Sequence, residues 1–371
     1  MQMHRGPFAA ARVVVLSFLL AASAGGVARG QGAIRPLADD PWTLLQAGQA
    51  RAASELFRQA ISANPRDARL HLGAGAAAYL QRRDEEARAA LERALQLNPS
   101  LGLARELLGL VLYRSGQLDG AVAAYETLIA ANPAQPAVAD RLARWRREVA
   151  VRDRMTMIVG SSFTLSFEGP PDAEIASRAI ASLERAAMRI GQALSVYPLT
   201  PIPVVLYSSE EFRDITRAPE WAGGAFDGII RVPVRDALAS DAELDRVLAH
   251  EFTHALIRGL APRGVPTWLD EGLASALERE GGSERGDEMP GAGGVPLREL
   301  GESFGRLDAD RATVAYATST RAARRLLDQA GGFAVANLLR DLGDGVAFEE
   351  AFARRIQVPL AEFESSLAVS R

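Results

Sequence analysis

Between residues 42 and 133 the chain repeats itself with a period of 34, and a repeat of that length leaves few folds open. The anchors are Asn64-Pro65, Asn98-Pro99 and Asn132-Pro133. Counting back from each proline by equal intervals reaches Ala53, Ala87 and Ala121, then Phe57, Leu91 and Tyr125. Gly75 and Gly109 match one another earlier in their units, and Gly48 and Gly116 match at a turn. Small residues at fixed places and a proline closing each unit predict two helices per repeat, crossing closely where the side chains are small. One such unit cannot bury its apolar face alone, so the units must stack. Pro36 and Pro41 are expected to interrupt the first helix of the first unit, leaving about two and a half repeats.

This is the tetratricopeptide pattern, and it predicts an all-α solenoid over residues 42–134. Residues 135–154 continue as a helix with Leu142, Trp145 and Val149 on one face and six arginines elsewhere, suited to capping the stack. The solenoid offers a concave surface for a protein partner. His71, in the first helix of the second repeat, is read as a residue of that helix and not as a metal ligand.

From Met155 the pattern changes. Phe163 to Phe167 alternates as a strand, Asp172 to Val196 reads as a long amphipathic helix, and Ile202 to Tyr207 as a second strand. Ser208 to Glu211 carries helix-start chemistry. The glycine-led segment 223–234 reads as a strand in which Pro233 suggests a sheet edge. Next comes Asp241 to Ala249, with acids in its first turn and apolar positions at helical spacing, leading into His250-Glu251-Phe252-Thr253-His254. On a helix, residues four apart share a face, so the two imidazoles can converge on one Zn²⁺ with Glu251 beside a water that the metal acidifies. Such a water attacks a carbonyl as the carboxylate takes its proton. The chain contains no Cys, so a metal here must be held by histidines and carboxylates. Gly259, Pro262, Gly264 and Pro266 are expected to end this helix and turn the chain back, and Trp268 to Ala274 starts another carrying Glu271.

HEFTH followed by WLDEGLA resembles the gluzincin metallopeptidases, and more narrowly the bacterial peptidase MA-like domain. The resemblance spans about residues 155–371. It implies an α+β catalytic domain with a helical C-terminal lobe, one Zn²⁺ per chain held by His250, His254 and Glu271, and Glu251 as general base in peptide hydrolysis. The 16 residues between His254 and Glu271 are slightly fewer than in thermolysin, a departure that bears on the loop between the two helices. A downstream Tyr stabilises the oxyanion in related gluzincins, and Tyr316 is the only Tyr after the motif. Arg321 and Arg324 are weaker candidates for that work. Where zinc aminopeptidases carry G-A-M-E-N, whose Glu holds the substrate amine, this chain has Gly224-Ala225-Phe226-Asp227-Gly228; the missing Glu and Asn argue against a standard aminopeptidase, and Asp227 is either a partial substitute or part of an ordinary turn before a strand. Asp270 either orients a ligand or begins its helix, and the helix-start reading is the simpler.

The whole chain therefore reads as multidomain: a signal peptide at 1–30, a linker at 31–41, the repeats, the capping helix, and a metallopeptidase domain at 155–371. Arg5 and Arg12 precede the apolar run Val13 to Ala22, with Ala22-Ser23-Ala24 as the cleavage site. Export to the periplasm or beyond follows, with membrane association only where the segment stays uncleaved. A net charge of -4 gives no argument for nucleic acid, leaving a peptide or protein substrate and a protein partner on the repeats. Two other functions remain open from sequence: a repeat-based interaction scaffold with a non-catalytic peptidase fold, and a zinc hydrolase of a non-peptide amide.

Overall fold

The computed structural model describes residues 40–169, 173–216, 224–233, 240–279, 295–301, 304, 307 and 309–369. The expected signal segment, the linker up to residue 39 and the Gly-rich stretch at 281–294 lie outside these. No helix among the described residues is long and apolar enough to cross a membrane. The described residues form two compact units, one running to Asp153 and taking in Ile215 and Thr216, the other made of the rest from Arg154 onward. Both are rich in helix, and the second holds a small mixed sheet.

The first unit contains seven helices among its described residues: α1 (Pro41–Gln46), α2 (Ala50–Ala63), α3 (Ala68–Leu80), α4 (Asp84–Leu97), α5 (Gly102–Arg114), α6 (Leu118–Ala131) and α7 (Pro136–Arg152). The repeat can be followed in its physics. Asn64, Asn98 and Asn132 cap α2, α4 and α6 in non-helical backbone, extended at Asn98 and Asn132, because the proline that follows each disfavours helical backbone before it. Gly48, Arg82 and Gly116, spaced one period apart, all adopt positive φ at the turn within each unit (80°, 59° and 74°). Ala53, Ala87 and Ala121 are fully buried, as are Phe57, Leu91 and Tyr125. A Cβ on Gly75 would lie 2.7 Å from Leu91, and one on Gly109 2.5 Å from the Tyr125 ring, so each glycine leaves room for the large residue of the facing helix. Pro41 does not interrupt the first helix. It occupies the first turn of α1, where its missing N–H costs nothing, and Asp40 caps that helix by accepting from the Thr43 N–H.

The arginine-rich helix α7 closes this unit with its apolar face inward. Trp145 stacks on Tyr113 with ring centroids 4.7 Å apart and meets Tyr125 at 4.4 Å. The buried Glu148 accepts a 2.7 Å hydrogen bond from the Tyr113 hydroxyl. Arg141 donates to the Tyr125 hydroxyl at 2.9 Å, while Arg146 and Arg152 reach Glu126 and Asp119. His71 sits in the first turn of α3 with Nε2 3.0 Å from the Pro65 carbonyl, as a residue of the helix start.

In the second unit, β1 (Met155–Val159), β2 (Phe163–Glu168), β3 (Ile202–Tyr207), β4 (Ala225–Phe226) and β5 (Ile230–Pro233) form one sheet in the order β1-β2-β3-β5-β4. The pairs β2-β3 and β3-β5 are parallel, and both outer pairs are antiparallel. Two helices lie between strands, α8 (Ala173–Leu194) after β2 and α9 (Ser209–Thr216) after β3. Ser208 and Glu211 start α9 with reciprocal capping bonds. The strand carrying Pro233 is not the edge. Pro233 pairs with Tyr207 of β3 beyond the last residue that β4 reaches, so its missing N–H falls where the ladder to β4 has already ended. The edge is β4.

The remaining helices are α10 (Asp241–Leu260), α11 (Thr267–Leu277), α12 (Ala309–Gly343, broken at Gly331), α13 (Phe348–Ile356) and α14 (Leu360–Val369). Helix α10 starts at Ser240, whose hydroxyl accepts from the Glu243 N–H. It runs through Gly259, which stays helical, and ends at Leu260 ahead of Pro262. One core lies among the sheet, α8 and the buried face of α10, with Phe163 edge-on to Phe252 at 5.4 Å. A second lies among α11 to α14, around Trp268, Leu326 and Phe352.

Candidate metal centre

Two helices joined by six residues build the site. His250, Glu251 and His254 come from α10, and Asp270, Glu271 and Glu278 from α11 or the residue capping its C-terminus. His250 Nε2 and His254 Nε2 are 3.2 Å apart, and each lies 3.7 Å from Glu271 Oε2. A point equidistant from these three donors is about 2 Å from each, the bond length Zn²⁺ takes with imidazole nitrogen and carboxylate oxygen. Among the described residues this is the one group of three or more His and acidic side chains positioned to share an ion. The shorter separation between His254 and Glu271 thus still brings the carboxylate to both imidazoles. The donor set fits Zn²⁺, and its three side chains are only partly exposed, at 18%, 14% and 23% for His250, His254 and Glu271.

The far side of each imidazole is also held. His254 Nδ1 lies 2.8 Å from Asp270 Oδ1, and Asp270 accepts in turn from Arg258 at 2.7 Å. His250 Nδ1 lies 3.1 Å from Glu278 Oε2, and Arg246 donates to that same oxygen at 3.1 Å. A proton on each Nδ1, shared with a carboxylate, leaves both Nε2 lone pairs aimed at the common point. Asp270 is therefore an orienting residue, contrary to the helix-start reading, because its carboxylate is spent on His254 and Arg258. Sequence reasoning missed Glu278, Arg246 and Arg258. A signal existed: Arg246, His250, His254 and Arg258 recur every four residues and so share one face of α10.

Electrostatics agree with a cation-binding role. Burial alone would lower the pKa of both imidazoles, but the carboxylates around them outweigh it. Glu271 and Glu278 lead in raising His250 to about 10, and Asp270 and Glu271 in raising His254. Glu271 and Asp270 stay ionised, since the histidine charges, with Arg258 beside Asp270, overcome the burial that would raise them. The buried Glu251 is pushed up by desolvation, with Glu271 and Asp270 adding to it against the pull of both histidines. A carboxylate so raised holds a proton more readily than a solvated one.

Glu251 faces β4 and the residue before it. A Cβ at Gly224 would sit 2.7 Å from the Glu251 carboxylate, so this glycine makes room for that side chain beside the edge strand. Asp227 pairs through Oδ1 with the buried Arg231 across the β4-β5 turn and also accepts there from the Ile229 N–H. Tyr316, on α12, is close enough for the charges of Glu271 and Glu251 to raise its phenol, after burial as the main cause. Its ring meets Phe304 edge-on at 5.2 Å. Gly272, next to the candidate ligand, brings α11 against α12, since a Cβ there would lie 2.4 Å from the Ser319 carbonyl, less than one turn beyond Tyr316. Arg321 and Arg324 lie five and eight residues beyond Tyr316 on the same helix.

The tetratricopeptide repeat family model matches residues 42–102 and 85–136, within the first unit. No curated protein matches the chain.

Proposed function

We propose that the second unit is a zinc-dependent peptidase domain of gluzincin type and that this chain is an exported metallopeptidase. The observation that carries the reading is the convergence of His250, His254 and Glu271 on one point, with Glu251 beside them and both imidazoles held from behind. Zn²⁺ held there by His250, His254 and Glu271 would supply Lewis-acid polarisation of a carbonyl and would bring the pKa of a water down to ~7. Glu251 then takes a proton during attack and returns it to the leaving amine. Its raised affinity for a proton and its place against Gly224 suit both steps. The Tyr316 hydroxyl, kept protonated, donates to the developing oxyanion. The strand β4 ends the sheet beside Glu251, where an extended substrate backbone can add as a further strand. The first thirty residues serve as the secretory signal.

The repeats carry a second, compatible reading. Tetratricopeptide repeats present surface to protein partners, and the match over 42–136 favours that role for the first unit. If the second unit were only a scaffold, nothing in the chemistry of a scaffold would require a base beside the three donors.

The test is cleavage of an unfolded protein by the zinc-loaded chain, by Glu251→Gln, and by wild type stripped with a chelator. Cleavage by the first alone supports the reading. Absence of cleavage by the zinc-loaded wild type overturns it and leaves partner binding or zinc hydrolysis of a non-peptide amide as the function.

A further inference from the structure

The stripe Arg246, His250, His254 and Arg258 is more regular than two ligands require. Each outer arginine stands four residues from its histidine, Arg246 before His250 and Arg258 after His254. Each histidine reaches its arginine through a carboxylate supplied by α11 or its C-cap. On one side the chain runs Arg258, Asp270, His254, with contacts of 2.7 and 2.8 Å. On the other it runs Arg246, Glu278, His250, with both contacts at 3.1 Å on a single oxygen, Glu278 Oε2. Arg246 is itself gripped by Glu243 through two bonds of 3.0 and 2.6 Å.

We infer that Glu278, anchored by Arg246, is a positioning residue for the metal centre: it fixes the ring of His250 and keeps the proton on Nδ1, so that Nε2 is free to bind a divalent cation. The inference rests on the zinc reading of the same three donors. Without Glu278 the His250 ring can rotate about its χ2 and exchange tautomers, and part of the binding energy goes to restoring one arrangement. The arginine matters because an unanchored Glu278, seven residues beyond Glu271 at the fraying end of α11, has other rotamers open to it. Asp270 needs less help, since it neighbours Glu271 inside the first turns of that helix. The two relays are therefore unequal, and the Glu278 relay is the one that depends on its arginine.

The experiment is a zinc titration against a competing chromophoric chelator, using wild type, Glu278→Ala, Glu278→Gln and Arg246→Met. The d–d spectrum of the Co²⁺-loaded proteins and the melting temperature of the metal-free proteins are read alongside. Glu278→Ala should weaken zinc binding about 10- to 100-fold and broaden the Co²⁺ bands. Glu278→Gln should recover part of the loss, because its amide oxygen still accepts from Nδ1–H, and Arg246→Met should weaken binding severalfold with Glu278 in place. A purely structural clip would lower the melting temperature and leave zinc affinity and the Co²⁺ spectrum unchanged. If wild type binds zinc and all three variants bind within twofold of it, the positioning role is overturned and the zinc site stands. If wild type binds no zinc, the zinc reading fails and this inference with it.

Discussion

The two units of this chain meet different demands on sequence. In the repeats, one contact is made again every 34 residues: a small residue on one helix receives a large residue from the next, as Gly75 receives Leu91 and Gly109 receives Tyr125. In the candidate metal centre each side chain is used once, and its partners come from another helix at separations that repeat nowhere. Periodic packing can be read by counting. A site must be assembled before its supporting residues can be recognised.

That difference predicts how each unit breaks. The largest effect belongs to the chemistry: Glu251→Gln should lower kcat about 10²- to 10⁴-fold, with zinc content unchanged by metal analysis. In the repeats the largest single loss should come from Tyr125→Ala, which empties a fully buried position beside Gly109 and Trp145. A cost of about 3–5 kcal/mol is expected by denaturant unfolding of the first unit. Zinc affinity should stay within twofold, because every donor and orienting residue lies in the second unit.

Below both in size comes Gly224→Ala. The added methyl meets the Glu251 carboxylate at 2.7 Å, so the base must move, and kcat should fall about tenfold with KM little changed and zinc retained. Wild-type kinetics for Gly224→Ala would mean that the base works from another position.

Acidity sharpens the comparison further. The metal-free His250 holds its proton up to about 10, above the ordinary value near 6.5. The protonated form is the one the fold favours, so its stabilisation is complete below that ordinary value and is lost as pH rises through about 10. Melting of the metal-free second unit should therefore fall across that window, while the zinc-loaded protein, whose ring is already deprotonated, should lack this trend. Zinc binding at neutral pH should release protons, measurable by calorimetry in buffers of different ionisation enthalpy.

The smallest expected effect is at Arg82, the non-glycine member of the positive-φ turn series. Arg82→Gly removes the strain of a left-handed side-chain residue at some entropic cost in the unfolded chain. A net gain of about 0.5–1 kcal/mol in chemical denaturation is expected.

Much of the solenoid was legible because its determinants are local. Asn-Pro ends a helix wherever it occurs, and the buried residues recur at the counted positions. Pro41 was misread because a proline's effect depends on whether it falls in a helix's first turn, and the short α1 has no repeat to mark where it begins. For the site, H-E-x-x-H and the acid of the next helix were legible as residues the structure brings together. The roles of Asp270, Glu278 and the outer arginines were not, since a carboxylate that holds a histidine looks in sequence like any helix-surface acid. Pro233 pointed to an edge one strand too early. Register decides whether a missing N–H meets a partner, and a two-residue β4 leaves almost no trace in the sequence.

The most direct test is anomalous diffraction at the zinc edge from crystals of the zinc-loaded protein. The account predicts one strong peak about 2 Å from His250 Nε2, His254 Nε2 and Glu271 Oε2. A protein that crystallises with this fold but shows no peak there, or a peak held by other residues, would contradict it.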